Sequence, residues 1–538
     1  MQLPQWEVLP TVSTKYLGVI FDQHLDWRAQ HVHALGKGAT WTSQIKRLTR
    51  TTWGITPKYA RKLYASVALP RTLYASDIWC IPTEQEELTS KGNAKVTKKF
   101  ITMQRAGALA ITGGLRTSPT DALDAFAFIL PAPLTISKWQ HRAMVRMAML
   151  PANHPLSKPI HKKTARKIKK HQAPMNKLLM AYGHDPTKVE KIPAAARDPM
   201  LKGKLPFKTN IANDRETSIR EAETAPEEVQ VYSDGSALHG KVGAAAILFR
   251  QGSPPCTMHL YLGPEEEHTV HEAELVGILL ALQLISTEKH RSTSFAIGVD
   301  NQAAIQAFDS GLRSPGHHLA REAIRVANQI QKRRSKAKYS LTIRWVVGHE
   351  GIPGNEAADI EAKKAARGLS SDKPSLPPYL RKNLLINPAA IKRSYHDMLK
   401  SKWKKDWISS TRGREAYRID NTTPSKKFLG IIGQPELSRE AASRIAQFKL
   451  THTPVNQFLK RIGKVDSARC PACGEDEETI PHYLLHCPGY AFERWALARQ
   501  AGKLQKNLTM EALLSTPELA TPLANFIDAT GRFKTRTP

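Results

Sequence analysis

Residues 229–250 read VQVYSDGSALHGKVGAAAILFR, and the fold of the central domain can be predicted outward from them. Two β-rich runs lie on either side of a glycine-containing turn, and a third run, CTMHLYLG, follows at 256–263. Short β-rich runs separated by glycine and proline predict three consecutive antiparallel strands. Asp234 stands near the end of the first run and is followed by Gly235, whose missing side chain lets a backbone or a phosphate approach closely.

Helical and strand patterns alternate after this meander. HTVHEAELVGILLALQLI has helical spacing, SFAIGVD reads as a strand, and NQAAIQAF and HLAREAIRVANQIQKRRS read as helices. The strand LTIRWVVG and the helix NEAADIEAKKAARG complete the series. Antiparallel strands followed by alternating helices and strands predict an α/β domain, with a mixed five-stranded sheet and flanking helices.

Four carboxylates of this region have local settings that suit a metal ion: Asp234, Glu274, Asp300 and Asp359. The first and third end β-rich runs, whereas the second and fourth lie in helical patterns. Acidic side chains at strand ends repel one another unless cations hold them together. Two Mg²⁺ ions about 4 Å apart would do this and would position the attacking and leaving oxygens of a phosphodiester. The pattern therefore favours a metal-dependent nuclease.

Three neighbouring residues extend or compete with this set. Glu272 is the competing candidate, but it points about 200° away from Glu274 around the helix. Glu274 lies beside apolar residues, where a charged carboxylate destabilises the fold unless it is paired or bound to a metal. Glu350 is a less favoured further ligand. His349, in the loop before Asp359, titrates near physiological pH, which suits proton transfer or product release beside the metals.

The charge balance favours a polyanionic partner. The chain of 538 residues has 79 Lys and Arg against 48 Asp and Glu, a formal net charge of +31. Such an excess indicates nucleic acid first and an anionic membrane surface second. No apolar run or signal-peptide pattern predicts a membrane or secretory location. Five cysteines in so long a chain indicate a reducing, intracellular compartment rather than a disulfide scaffold.

The motifs YSDGS, AEL, VDNQAA and WVVGHEGIPGNEAADIEAKKAA resemble, in order and rough spacing, those of type 1 ribonuclease H. The resemblance implies the ribonuclease H-like fold and hydrolysis of the RNA strand of RNA–DNA hybrids, giving 5′-phosphate ends. It further implies that Asp234, Glu274, Asp300 and Asp359 are catalytic carboxylates that bind two Mg²⁺ ions, with Mn²⁺ as an alternative. By the same resemblance His349 is the auxiliary histidine.

The resemblance carries two weaker implications. Asn301 and Asn355 would contact the nucleic-acid backbone or hold the site loops. The family's basic handle loop has no separate counterpart, only QKRRSKAKYS at the end of one long helix. We therefore expect hybrid affinity to depend on the basic segments that flank the domain.

The N-terminal sequence STKYLGVIFDQHLDW, read as one short strand followed by a helix, resembles the end of a reverse transcriptase palm in non-LTR retrotransposons. The helices after it, through QRAGALAITGGLRTSPTDAL, resemble that family's thumb and connection. No YADD-like sequence occurs, so the chain is expected to begin downstream of the polymerase aspartates. The resemblance implies a fragment of a retrotransposon polyprotein without polymerase activity.

A third site is predicted near the C-terminus by Cys470, Cys473, His482 and Cys487, in the spacing C-x₂-C-x₈-H-x₄-C. Three thiolates and one imidazole form a closed tetrahedral set, which suits structural rather than catalytic zinc. His486, next to Cys487, is the alternative fourth ligand. The arrangement resembles the cysteine–histidine motif at the C-terminus of the same polyproteins.

Composition divides the chain into five regions. Residues 1–150 are the mainly helical reverse transcriptase-like region, and 151–227 are a basic linker. The ribonuclease H-like domain spans 228–370, a proline-rich linker spans 371–390, and 391–538 are a helical region with the zinc motif. Between Lys158 and Lys208, 14 Lys and Arg stand against 3 Asp and Glu, which favours a poorly ordered segment.

Two other functions are compatible with this sequence. A decayed retroelement would retain the fold and the basic surface as a non-catalytic nucleic-acid-binding protein. A DNA-cleaving or strand-transferring enzyme would use the same type of sheet on a different substrate. The survival of all four acids and the histidine favours the ribonuclease over the decayed element.

Overall fold

The computed structural model describes residues 11–80, 91–158, 160, 174–192, 204–288, 292–309, 314–334, 339–422 and 424–534. The chain forms two compact units. The sheet unit comprises residues 141–397, and the helical unit comprises residues 1–140 together with 398–538. The N-terminal and C-terminal regions, which the sheet unit separates along the chain, therefore belong to one unit.

The N-terminal part begins with a β-hairpin followed by helices. Its elements are β1 (Ser13–Tyr16), β2 (Val19–Asp22), α1 (Arg28–Leu48), α2 (Pro57–Leu63), the π-helical segment Tyr64–Ala68, α3 (Leu69–Thr72), α4 (Ser76–Trp79), α5 (Lys91–Thr112), α6 (Thr120–Phe126) and α7 (Ala132–Ala148). The sequence predicted one strand where the structure has a hairpin. Leu17 and Gly18 turn the chain with φ values of 46° and 83°, the left-handed conformations of a two-residue hairpin turn.

The sheet unit is built on a mixed sheet of six strands. They are β3 (Lys208–Asn210), β4 (Val229–Leu238), β5 (Lys241–Arg250), β6 (Ser253–Pro264), β7 (Ser294–Val299) and β8 (Ser340–Trp345). Their order is β3-β8-β7-β4-β5-β6. The meander β4-β5-β6 is antiparallel, as predicted, and β4, β7, β8 and β3 pair in parallel.

Among the described residues, six α-helices with defined bounds lie wholly within the sheet unit. They are α8 (Pro174–Tyr182), α9 (Arg215–Glu223), α10 (Val270–Thr287), α11 (Gln302–Asp309), α12 (His317–Arg333) and α13 (Pro353–Ala366). The predicted helical patterns of residues 268–368 are confirmed by α10 to α13. The α/β class with flanking helices is confirmed as well.

Helix α10 lies in the core of the sheet unit. Leu275, Ile278, Leu279 and Leu282 of this helix are at most 1% exposed and pack in one cluster with residues of the strands. It is long and apolar enough to cross a membrane, but 72% of its apolar window is buried inside the protein. Among the described residues it is the one helix that passes this test, and its burial identifies it as a core helix.

The predicted number of strands was wrong, because the basic segment before the domain contributes β3. This strand of three residues pairs in parallel with β8 at the edge of the sheet, and so short a run has no readable alternation in sequence. Helices α8 and α9 also fall within the predicted linker. Residues 159, 161–173 and 193–203 of that segment lie outside the described residues.

The proline-rich segment 371–390 packs against the sheet unit. Leu376 and Leu380 are buried in the core cluster of the sheet. Ser371 exchanges hydrogen bonds with His259 of strand β6, its amide donating to the carbonyl over 3.0 Å and its hydroxyl accepting from the amide over 2.9 Å. The segment therefore covers part of the edge strand, which would otherwise present unpaired backbone groups.

The C-terminal part is helical. Its elements are α14 (Pro388–Ile408), α15 (Arg414–Ile419), α16 (Lys427–Ile431), α17 (Arg439–Lys449), α18 (Asn456–Arg461), α19 (Ala491–Lys503), α20 (Met510–Ser515) and α21 (Ala520–Thr530). A π-helical turn, His482–His486, precedes α19. In the helical unit, Arg439 of α17 donates hydrogen bonds to the carbonyls of Ala110, Ile111 and Arg50 over 2.7–2.9 Å, so the N-terminal and C-terminal parts are joined through buried polar contacts.

Glycines on β4 and β5 set how closely the helices approach the sheet. A Cβ at Gly243 would lie 2.1 Å from the backbone nitrogen of Ala366 in α13. A Cβ at Gly235 would lie 2.5 Å from the backbone nitrogen of Glu274 in α10. Both neighbours are backbone atoms, so neither contact can be relieved by a side-chain rotation.

We predict that Gly243→Ala destabilises the sheet unit by about 2 kcal/mol, because α13 must move away from β5 to admit the methyl group. Urea unfolding measures the change. Gly36→Ala in α1 is the matched control, since no atom lies within 4 Å of its added Cβ. Equal stability of the Gly243 variant and the wild type would contradict the close packing of α13 on β5.

Candidate metal centres

Three of the four predicted acids meet at the central strands β4 and β7, where β7 ends. Oxygen atoms of Asp234, Glu274 and Asp300 all lie within 4.8 Å of one another. Asp234 and Glu274 are only 6% and 3% exposed. The structure therefore brings together carboxylates from β4, from α10 and from the end of β7.

Strand register explains the pair of aspartates. Ser233 of β4 lies opposite Val299 of β7 in a parallel pair, so the next residues, Asp234 and Asp300, stand side by side. Asp300 directly follows β7, but Asp234 lies within β4, which continues to Leu238 opposite β5, so the prediction that Asp234 ends its strand was wrong. Gly235 lets α10 come close to β4, and the close approach places Glu274 beside the two aspartates. The three-residue cluster thus depends on the parallel pairing of β4 with β7 and on the absence of a side chain at Gly235.

Burial and mutual repulsion raise the pKa values of the three acids. Burial, followed by the charges of Asp300 and Asp359, raises the pKa of Asp234 to about 7. Burial and the charges of Asp234 and Asp300 raise the pKa of Glu274 well above its usual range. Burial also raises the pKa of Asp300, although the nearby charge of His349 opposes the rise. Without a cation, the cluster therefore holds protons at neutral pH.

Asp359 is near the cluster but outside its mutually close set. Its carboxylate, 22% exposed, forms an ion pair with Lys363 of the same helix at 2.6 Å. Its charge still raises the pKa values of Asp234 and Asp300. Lys363 was missed by the sequence reading, and the signal available was its position four residues after Asp359, which places both side chains on one face of α13.

The loop between β8 and α13 carries His349 next to the cluster. His349 is exposed and has a φ of 58°, and its charge lowers the pKa of Asp300. Glu350 is paired with Arg215 of α9 at 3.0 Å, so its carboxylate is already partnered. Asn355 is 3% exposed and hydrogen-bonds Asp300, which agrees with a role in holding the site.

The alternative acid Glu272 has a structural partner. It forms a capping box with Thr269 at the start of α10, and its Oε2 lies 3.2 Å from Nδ1 of the buried His268. Glu272 is therefore not part of the acidic cluster, and the choice of Glu274 over it is supported by position. Asn301 hydrogen-bonds Glu274 and lowers its pKa, so both asparagines touch cluster carboxylates.

The donor set of the cluster fits Mg²⁺. Mg²⁺ prefers oxygen ligands and is bound through a small number of carboxylates. Glu274 Oε2 is buried and has no hydrogen-bond partner among the described residues. A buried carboxylate oxygen without a donor is costly, and a cation bound by Asp234, Glu274 and Asp300 would remove that cost.

We predict that Asp234→Asn stabilises the cation-free protein, because it removes a buried charge that has no counterion. Since the folded pKa of about 7 exceeds the unfolded value near 3.9, ionisation of Asp234 destabilises the fold as pH rises between those values. The variant's advantage is therefore absent at pH 4 and largest above pH 7, at about 4 kcal/mol.

Urea unfolding in EDTA across this pH range measures the difference. Asp309→Asn at an exposed helix end is the control and should not show the same pH-dependent gain. A gain for the Asp234 variant that is constant from pH 4 to 8 would rule out burial of its charge as the cause.

The second candidate centre lies in the C-terminal part. Ligand atoms of Cys470, Cys473, His482 and Cys487 all lie within 4.8 Å of one another. Cys470 Sγ is 3.6 Å from Cys487 Sγ, and Cys473 Sγ is 3.6 Å from His482 Nε2. A tetrahedral zinc ion with its usual bond lengths separates two sulfurs by roughly 3.8 Å and a sulfur from a nitrogen by roughly 3.6 Å. The four ligand atoms therefore have the spacing of a closed zinc site.

The surroundings of the centre orient its ligands. Nδ1 of His482 lies 3.6 Å from the carboxylate of Asp476, the kind of partner that orients a metal-bound imidazole. Backbone N–H groups of Asp476 and Glu475 lower the pKa of the Cys473 thiol, which favours the thiolate that zinc binds. His486 is outside the close set, so geometry supports His482 as the fourth ligand.

Helix α19 fixes the centre to the helical unit through a buried arginine. Arg494 donates hydrogen bonds to the carbonyls of Cys487, Leu484 and Tyr483 over 2.8–3.2 Å. The Tyr483 ring packs against surrounding aromatic rings, including that of Phe448 at a centroid distance of 5.7 Å. Because these groups share one packed region, loss of the metal would loosen the helices around it.

We predict that the protein binds one zinc ion here and that Cys470→Ser loses it, with a drop of several kcal/mol in unfolding free energy. Zinc content by atomic absorption and thermal unfolding before and after chelation test this. Cys256→Ser, at an exposed cysteine outside the set, is the matched control and should retain the ion. Full zinc occupancy in the Cys470 variant would contradict the assignment.

Comparisons with known proteins match the part of the sheet unit that carries the acidic cluster. Residues 226–367 match the family model described as RNase H. A ribonuclease H of Sulfurovum sp. (strain NBC37-1) is 29% identical over 152 residues, which cover 27% of this chain and 96% of the relative. The matched family range contains strands β4 to β8 and helices α10 to α13.

Two solved structures were also found. LC11-RNase H1 in complex with an RNA/DNA hybrid matches with 15% identity and a TM-score of 0.21, over 26% of this chain and 96% of that chain. The PFV RNase H domain matches with 17% identity and a TM-score of 0.21, over 27% of this chain and 98% of that chain.

Proposed function

We propose that the RNase H domain formed by residues 226–367 is an endonuclease that hydrolyses the RNA strand of RNA–DNA hybrids. The observation that carries this proposal is the cluster of Asp234, Glu274 and Asp300, whose oxygens lie within 4.8 Å of one another. Buried acids with raised pKa values at a sheet edge are the arrangement of a catalytic rather than a structural site.

Asp234, Glu274, Asp300 and Asp359 would hold two Mg²⁺ ions, which supply Lewis-acid activation of a water and stabilisation of the leaving 3′-oxygen. The carboxylates must lose their protons to do so, because the raised pKa of Asp234 keeps it partly protonated at neutral pH. Lys363 must also release the Asp359 carboxylate from their 2.6 Å ion pair. Activity is therefore expected to fall as pH drops below 7.

His349 is suited to carry the proton. Its exposed position on the turn after β8 gives the imidazole contact with solvent, and its effect on the pKa of Asp300 places it beside the carboxylates. An imidazole in that position accepts a proton from the reacting centre and returns it to water. The 2′-hydroxyl of the substrate distinguishes the RNA strand from DNA.

We also propose that the chain derives from a non-LTR retrotransposon polyprotein, with a reverse transcriptase-like region at 1–150, a ribonuclease H domain at 228–370 and a C-terminal region with the Cys/His motif at 391–538. The hairpin β1–β2 followed by helix α1, at the resembling segment, supports this reading. In this proposal the Cys/His centre, loaded with zinc, supports the helical unit, and polymerase activity is absent from the chain.

We predict that Asp234→Asn lowers hybrid cleavage by roughly 10³-fold or more, because one cation loses a carboxylate ligand. Hybrid binding should stay within about twofold of wild type, since the substitution changes no basic surface. Gel assays with a labelled hybrid in Mg²⁺ and in EDTA, and a filter-binding assay, provide the two measurements.

Asp309→Asn, which neutralises an exposed acid of the same domain, should cleave like the wild type. Cleavage by the Asp234 variant at the wild-type rate would refute the catalytic assignment. A wild-type protein that cuts duplex DNA in preference to the hybrid would favour the strand-transfer class instead. Binding without Mg²⁺-dependent cleavage of either substrate would identify a decayed, non-catalytic element.

A further inference from the structure

A basic groove lies within the helical unit, away from both candidate metal centres in sequence. It has a volume of about 860 Å³, in the usual size range of ligand clefts. One wall is formed by α2 and the start of the π-helical segment that follows it, and the other wall is formed by residues 426–435. None of its twelve lining residues is acidic, and four of them are Lys or Arg. We call this surface the α2–α16 groove.

The cations converge because of helical spacing. Lys58, Arg61 and Lys62 stand at positions i, i+3 and i+4 of α2, which places them on one face. Lys426, the residue before α16, contributes a fourth cation from the opposite wall. Within the parts of the chain that the structure describes, no carboxylate forms an ion pair with Lys58, Lys62 or Lys426.

Arg61 has a different role from the three lysines. Its guanidinium donates hydrogen bonds to the carbonyls of Ala127 and Phe128 over 2.9–3.1 Å, so it fixes α2 to the chain after α6. The three lysines are exposed, and the Lys426 ammonium lies 5.9 Å from the centre of the Phe128 ring. The groove therefore has a rigid floor and three unneutralised charges free to meet an anion.

An aromatic ring stands beside these charges. Tyr59 is 59% exposed and lines the groove, so its ring is open to a ligand. A row of cations along a concave surface, with an exposed aromatic ring, is the combination that binds a phosphodiester backbone and stacks a base.

We propose that the α2–α16 groove binds single-stranded nucleic acid, with backbone phosphates at Lys58, Lys62 and Lys426 and a base stacked on Tyr59. This site is separate from the acidic cluster and does not depend on the hydrolysis proposed above. It would hold an unpaired strand, such as the single-stranded extension of a substrate, on the helical unit.

The test uses the full chain with its zinc bound and without added Mg²⁺, so that the proposed cleavage does not occur, and a fluorescein-labelled oligouridylate of about twenty nucleotides. The triple variant Lys58→Gln/Lys62→Gln/Lys426→Gln should bind about tenfold more weakly at moderate salt. In a plot of log affinity against log salt concentration, the slope should become shallower by about 2. Three phosphate contacts are lost, and each contributes roughly 0.7 to the slope for single strands.

Control variants distinguish binding in the groove from a general effect of net charge and from a loss of folding. Lys95→Gln/Lys98→Gln/Lys99→Gln removes the same charge from the exposed face of α5 in the same unit and should bind within about twofold of wild type. Tyr59→Ala should weaken binding by roughly fivefold or more, while Tyr59→Phe retains the ring and the affinity. Thermal unfolding must be unchanged in every variant that is scored for binding.

Three results would overturn the proposal. The first is an equally weakened oligouridylate affinity in the groove triple variant and the α5 triple variant, because the loss would then be explained by overall charge. Another is wild-type affinity in the groove triple variant, and the last is competition by polyglutamate as effective as that by the oligonucleotide. Loss of cleavage in the Asp234 variant with intact oligouridylate binding, by contrast, concerns only the acidic cluster, so the two proposals fail separately.

Discussion

The electrostatic repulsion among buried carboxylates beside the central strands β4 and β7 is the constraint on which the acidic cluster depends. Asp234 lies within β4, Asp300 follows the neighbouring parallel strand β7, and Glu274 faces them from α10. Each charge raises the pKa of the others because little water reaches them. Such a cluster is unfavourable on its own, so its retention in a tightly packed domain indicates that cations or protons compensate it.

The packing around the cluster resists that repulsion. Helix α10 is held by its apolar face in the core of the sheet unit, and Gly235 and Gly243 allow both flanking helices to lie directly on the strands. The carboxylates cannot separate without moving whole elements. The same rigidity makes the site ready for cations, since the ligands need little rearrangement to bind them.

Two sets of contacts stabilise the helical unit. The Cys/His set gathers four ligand atoms at tetrahedral spacing, while the N-terminal and C-terminal parts are joined by Arg439 and its carbonyl partners. Among the described residues, four Lys and Arg side chains and no acid line its α2–α16 groove. An acidic centre in one unit and a basic groove in the other give the chain two chemically opposite surfaces, suited to cations and to phosphates.

Sequence alone determined the elements around the cluster, because the periods of apolar residues in β4 to β8 and α10 to α13 are long and clear. It also singled out the residues of both candidate metal centres, since motif order and cysteine spacing are local properties. Only the tertiary structure decided that Asp234, Glu274 and Asp300 are mutually close while Asp359 is paired with Lys363. The strand β3 and the α2–α16 groove likewise required the fold, because strand partners and the convergence of distant cations are set by contacts between residues far apart in the chain.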